Sequence, residues 1–82
     1  MSSKYLDYRD SISLAAIQNG WGKAGDDHFV SPNNKYWLKW RWPIWRVFQR
    51  YEHSGNFMHA EDYPLETKLD LVEVIAIEGR VK

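Results

Sequence analysis

The residues of this sequence best suited to chemistry lie between positions 35 and 51. Five cationic residues and seven aromatic residues alternate there: Lys35, Lys39, Arg41, Arg46 and Arg50, with Tyr36, Trp37, Trp40, Trp42, Trp45, Phe48 and Tyr51. Aromatic planes stack on bases while Arg and Lys neutralise phosphates, as in single-strand binders that tolerate any base sequence. A Trp face and an Arg fork would equally suit a single nucleotide. The segment therefore predicts a site for an anionic partner that contains flat rings.

Alternation along residues 35–42 indicates which side chains would meet such a partner. In a strand, Tyr36, Leu38, Trp40 and Trp42 point one way, and Lys35, Trp37, Lys39 and Arg41 point the other way. An exposed Trp among cations indicates a contact surface. We predict five ligand-binding residues, with Trp37 stacking and the others holding phosphate oxygens: Trp37, Lys39, Arg41, Arg46 and Arg50. The alternative is that the Trp residues form core and the cations a solvated face.

A glycine motif at residues 20–25 raises the question of a dinucleotide site. It is a literal G-x-G-x-x-G, the pattern that brings a backbone close to a pyrophosphate after a strand and before a helix. Here it follows a predicted helix and leads into Asp26 and Asp27, whose charge would repel phosphate. We predict a surface loop instead.

Other candidate sites predict no catalytic or metal centre. His53 and His59 precede Glu61 and Asp62, but their spacing matches no standard metal motif. Asp27 and its neighbours offer a carboxylate and an imidazole without a nucleophile nearby. We therefore expect no enzyme, no metal and no cofactor.

Charge divides the chain although its formal net charge is zero. Residues 1–34 carry −1, residues 35–50 carry +5 and residues 51–82 carry −4. The basic segment could face an anionic partner, or the acidic segment with Asp70 and Glu73 could pair with it. In composition the basic segment resembles short Trp- and Arg-rich peptides that insert at membrane interfaces. Those peptides are net cationic, so the attached acidic segment argues against membrane binding.

Length and composition limit the classes of protein to which this chain could belong. Eighty-two residues predict one domain, too short for a dinucleotide-binding domain or an eight-stranded αβ barrel. The chain has no Cys, which removes disulfides and thiolate zinc sites and is compatible with the cytoplasm, where we expect the protein. The longest run without charge has twelve residues, whereas a membrane helix needs about 20. Asp7 and Asp10 lie where a signal peptide would have an apolar stretch, so we do not expect a secreted protein.

The elements that position the basic segment follow from periodicity. Apolar spacing predicts a helix over residues 8–19, with Asp7 as its N-cap and a stop at Asn19 and Gly20. Residues 20–34 are predicted to form a loop that contains at most one short strand, around residues 28–31. A hairpin turn is predicted at Asn33 and Asn34.

The rest of the chain is predicted to be mainly strand. Residues 44–51 match both helix and strand periodicity, and their Trp, Val, Phe and Tyr content favours strand. Residues 57–60 form a short strand, and the β-branched run over residues 69–77 predicts a central strand. The fold class is α+β, with one N-terminal helix packed on a small, mostly antiparallel sheet of four or five strands.

Two functional classes remain open. The first is a non-enzymatic binding module for a nucleotide or single-stranded nucleic acid. The second is a protein–protein interaction module, such as a small inhibitor or accessory subunit of bacterial or viral origin, in which the same Trp and Arg side chains are hot spots. Edge strands of so small a sheet would also allow a homodimer.

Overall fold

Two helices and a five-stranded sheet make up the computed structural model, which describes residues 4–79. The elements in chain order are α1 (Lys4–Gln18), β1 (Gly22–Gly25), β2 (His28–Val30), β3 (Tyr36–Arg41), β4 (Ile44–Arg50), β5 (Phe57–Tyr63), a 3-10 turn (Leu65–Thr67) and α2 (Lys68–Gly79). All strand pairs are antiparallel, and the strand order across the sheet equals the chain order. The predicted α+β class, N-terminal helix and antiparallel sheet are confirmed.

Helix α1 begins earlier than predicted and ends where predicted. Because it starts at Lys4, Asp7 lies in its first turn and is not the N-cap. The buried side chains Tyr8, Ile12 and Ala16 are four residues apart and form its core-facing stripe. Gly20 has a φ of 82°, the left-handed conformation that glycine adopts without steric cost at a helix end.

Helix α2 contradicts the predicted central strand over residues 69–77. Leu71 and Ile75, one helical turn apart, are fully buried, whereas Leu69 is 80% exposed. The β-branched side chains of this run are compatible with a helix because tertiary burial of one face outweighs their modest helix propensity.

The two helices run in the same direction. Near their starts, the Tyr8 hydroxyl donates a hydrogen bond of 2.6 Å to the Tyr63 carbonyl oxygen, five residues before α2. At their ends, Gly79 lies so close to Asn19 that a Cβ at position 79 would overlap the Asn19 carbonyl oxygen. Position 79 therefore requires glycine for this approach.

The segments around the sheet correct two further predictions. Residues 22–25, predicted as loop, form the short edge strand β1, which pairs with β2. Trp42, predicted to share the buried side of β3, lies in the turn after it and is 59% exposed. The Trp42–Pro43 peptide bond in that turn is cis. Residues 44–50 form β4, which confirms the strand over the helix.

A serine organises the predicted turn between β2 and β3. Ser31 is buried, and its hydroxyl donates to the Asn33 side-chain oxygen at 2.6 Å. The same hydroxyl accepts from the backbone N–H groups of Tyr36 at 3.0 Å and Lys35 at 3.2 Å. Asn34 has a φ of 60°, a conformation that Asn tolerates better than most residues, so the turn prediction is confirmed.

Both helices contribute to one core on a single side of the sheet, which we call the inner face. The core contains Tyr8, Ile12, Ala16, Trp21, Phe29, Leu38, Trp45, Val47, Tyr63, Leu71 and Ile75. The Trp21 indole N–H donates to the Ile75 carbonyl oxygen at 3.0 Å and links the end of α1 to α2. Across residues 4–79, neither helix has the length and apolar composition that crossing a membrane requires.

Candidate binding face on the outer side of the sheet

The opposite side of the sheet, which we call the outer face, follows from the strand register. Directly paired residues of antiparallel strands share a face. The pairs Trp37 with Phe48 and Lys39 with Arg46 therefore lie on the side away from Leu38 and Val47, which are buried. The strand residues of this face are His28, Val30, Trp37, Lys39, Arg41, Ile44, Arg46, Phe48, Arg50, Phe57, His59 and Asp62. All five predicted binding residues are among them.

Three rings from three strands form an aromatic cluster, defined as Trp37, Phe48 and Phe57. The Trp37 and Phe57 rings are stacked, with centroids 4.0 Å apart and planes 10° apart. Phe48 packs beside Trp37 at 6.2 Å. Each ring is half-buried, because the rings cover one another on the side that the helices leave open. Trp37 is therefore part of a surface cluster, with one indole face covered by Phe57.

Two imidazoles border the aromatic cluster. His28 meets the Trp37 ring edge-on at a centroid distance of 5.1 Å, and His59 meets Phe48 in the same way at 5.7 Å. Burial, followed by the nearby Lys39 charge, lowers the pKa of His28 below its ordinary value. The lowered pKa favours the neutral imidazole, whose ring packs edge-on against Trp37.

The cations of the outer face differ in their partners. The Lys39 ammonium lies 5.9 Å from the Trp37 ring centroid and 5.8 Å from that of Phe48, within cation–π range. Arg46 Nε lies 3.3 Å from Asp62 Oδ1. Among the residues that the structure describes, Lys39, Arg41 and Arg50 take part in no ion pair.

Charge is separated between the two layers of the molecule. The outer face carries four cations and the single carboxylate of Asp62, a net charge of +3. Residues 4–18 and 65–79 carry three cations and six carboxylates, a net charge of −3. Asp70 and Glu73 belong to α2 and therefore lie in the helical layer, away from the basic strands that they could have neutralised.

Comparisons with protein-family models, with curated proteins and with solved structures found no match to this chain. Functional inference therefore starts from the outer face itself.

The other candidate motifs do not assemble into a site within residues 4–79. No group of three metal-ligating side chains comes together there. His53 lies in the turn between β4 and β5, whereas His59 lies on the outer face beside Asp62. The glycine motif contributes the exposed strand β1 and does not open a helix.

Sequence reasoning missed Phe57, His59 and Asp62 as members of the outer face. Their position depends on the pairing of β4 with β5, which carries a bulge between Val47 and Phe48. A local signal was the two-residue spacing of Phe57 and His59, which places both side chains on the same face of a strand.

Proposed function

We propose that this protein is a non-enzymatic module whose outer face binds single-stranded nucleic acid. The aromatic cluster contacts bases, and Lys39, Arg41, Arg46 and Arg50 contact phosphates. The observation that carries the proposal is the joint presence of three rings and three cations on a sheet face left open by both helices, where the three cations have no carboxylate partner within residues 4–79. Stacking contributes roughly 1–3 kcal/mol per base, and phosphate contacts add a salt-dependent term.

The dimensions of the face favour a strand over a mononucleotide. Arg41 lies four positions after Trp37 along β3, a distance of about 13 Å at the usual rise of a strand. A strand with several linked phosphates can stack on the aromatic cluster and contact Arg41 at the same time. A cytoplasmic location, as the sequence predicts, completes this proposal.

The decisive experiment compares two Trp to Ala variants. Binding of a fluorescein-labelled dT12 oligonucleotide is measured by anisotropy for the wild type, Trp37→Ala and Trp42→Ala. Trp42 is the matched control because it lies in the turn beside Tyr5 and Trp40, outside the aromatic cluster. We expect Trp37→Ala to weaken binding about tenfold and Trp42→Ala to leave it within about twofold.

Salt dependence supplies the second measurement. If four cations contact phosphates, log K should fall with log salt concentration with a slope of about −3 for a single strand. Absence of binding, a slope near zero, or equal losses for both Trp variants would refute the proposal. A labelled duplex of the same length should bind more weakly, since its bases are not free to stack.

A second candidate function is protein–protein interaction, as a small inhibitor or accessory subunit. The observation in its favour is a set of exposed apolar side chains on the helices, Leu6, Leu14, Ile17, Leu69 and Ile77. Leu14 and Ile17 are three residues apart on α1 and are therefore neighbours on its surface, as in an apolar contact site. Light scattering over a range of concentrations tests one form of it, a homodimer. A mass that rises towards twice 9.8 kDa and reverts in Leu14→Lys would support this function.

A further inference from the structure

The carboxylate of Asp62 lies where two nitrogen groups of the outer face converge. Its Oδ1 atom is 2.7 Å from His59 Nε2 and 3.3 Å from Arg46 Nε. Lys39, which pairs with Arg46 across the neighbouring strands, adds a third nitrogen group to this end of the face. A single acidic oxygen is thus held by groups from β4 and β5.

The bulge in β5 creates this arrangement. In a regular strand His59 and Asp62 would point to opposite faces, because they are three residues apart. The register has Phe48 opposite His59 but Val47 opposite Glu61, so Ala60 is the extra residue. One inserted residue brings both side chains to the outer face, a common effect of bulges near binding sites.

The contacts of Asp62 are of a kind that another anion can replace. The Arg46 and Asp62 side chains are each 40% exposed, and ion pairs with this exposure contribute only about 0–1 kcal/mol. The Arg46 Nε–H is buried and has no hydrogen-bond partner within residues 4–79, so the Asp62 carboxylate 3.3 Å away does not satisfy it as a donor. A phosphate offers more acceptor oxygens than the carboxylate and can use these donors better.

We infer that Arg46, His59 and Lys39 form a subsite for one phosphate of the bound strand, and that Asp62 occupies this subsite in the free protein. This inference rests on the proposed function. The Asp62 carboxylate acts as an internal competitor that the ligand displaces, and it thereby lowers the affinity of the face for polyanions.

The test compares two variants that change the net charge equally. Asp62→Asn removes the internal competitor, whereas Glu73→Gln removes an exposed carboxylate from α2 in the other layer. With labelled dT12, Asp62→Asn should bind about 3- to 10-fold more tightly than the wild type, because the ligand no longer has to displace a carboxylate from the subsite. Glu73→Gln should change affinity by less than about twofold.

A third variant ties the gain to the subsite. In a protein that already carries Arg46→Gln, adding Asp62→Asn should no longer raise the affinity for dT12, because the guanidinium group that Asp62 would release is absent. Equal affinities for Asp62→Asn and Glu73→Gln overturn the inference while leaving the proposed function standing. A wild type that fails to bind dT12 overturns both. Thermal unfolding followed by circular dichroism verifies that each variant is folded.

Discussion

The inner and outer faces of one sheet use the same types of residue in different ways. On the inner face, Trp45 and Leu38 are both fully buried in the core. On the outer face, Trp37 and Phe48 are only half-buried and cover each other. A high aromatic content thus serves the core and the surface of one small domain at once.

This division separates stability from the proposed binding. The core of so short a chain depends on a few large side chains, since small domains bury a smaller share of their surface than large ones. Outer-face variants should therefore leave the fold intact, whereas inner-face variants should not.

The largest expected effect on stability is the difference between removing an aromatic ring from the inner face and removing one from the outer face. Trp45→Ala leaves a cavity beneath the helices and should lower the free energy of unfolding by about 3–5 kcal/mol. Phe48→Ala removes a half-buried ring from an open face and should lower it by about 1 kcal/mol. Urea unfolding followed by circular dichroism measures both. Similar losses in the two variants would show that the faces are not energetically distinct.

A second test titrates the phenols of the inner face. Burial, with a hydrogen bond and charge from Glu61, raises the pKa of Tyr63 to about 12, and burial also raises the pKa of Tyr8. Since the folded state favours the neutral phenol, this stability is fully present below about pH 10 and lost as pH rises through 12. Tyr63 alone should account for about 2 kcal/mol of the loss.

Urea unfolding at pH 8, 10 and 11 follows this loss. Tyr63→Phe should unfold with a flatter pH dependence because it lacks one of the titrating groups. An equally steep decline in Tyr63→Phe would assign the alkaline sensitivity to other residues.

The smallest expected effect concerns the contact between the helix ends. Gly79→Ala forces a methyl group into the Asn19 carbonyl oxygen and should cost about 1–2 kcal/mol of stability. Gly22→Ala is the control, because a Cβ there meets no atom within 4 Å. The urea concentrations at the unfolding midpoints of the two variants measure this difference in stability. A Gly79→Ala protein as stable as Gly22→Ala would mean that the ends of the two helices move apart readily to accommodate the added methyl group.

The sequence predicted those parts of the fold that local patterns determine. The stop at Gly20, the turn at Asn33 and Asn34 and the alternation along β3 each depend on neighbouring residues. Alternation also predicted that Trp37, Lys39 and Arg41 point away from the core, although it could not show that Phe57 would cover the indole. That contact joins β3 to β5 and depends on a register with a bulge, which no local pattern specifies.

Helix α2 was missed because residue type was weighed above spacing. Val72, Val74 and Ile77 favour a strand by propensity. However, Asp70 and Glu73 are three residues apart, so in a strand they would put a carboxylate on each face of a segment predicted to be buried on both sides. A helix resolves this conflict, since Leu71 and Ile75 then share one face and the acids remain exposed.

The neighbour-to-neighbour order of the strands has a consequence for biosynthesis. Each hairpin of the sheet can close as soon as its second strand has been translated, because it requires no distant part of the chain. Leu71 and Ile75, in contrast, are translated after all five strands. A nascent chain thus passes through a stage in which the sheet is complete while the core around Trp45 and Leu38 still lacks Leu71 and Ile75, and at that stage it is most exposed to aggregation or capture by chaperones.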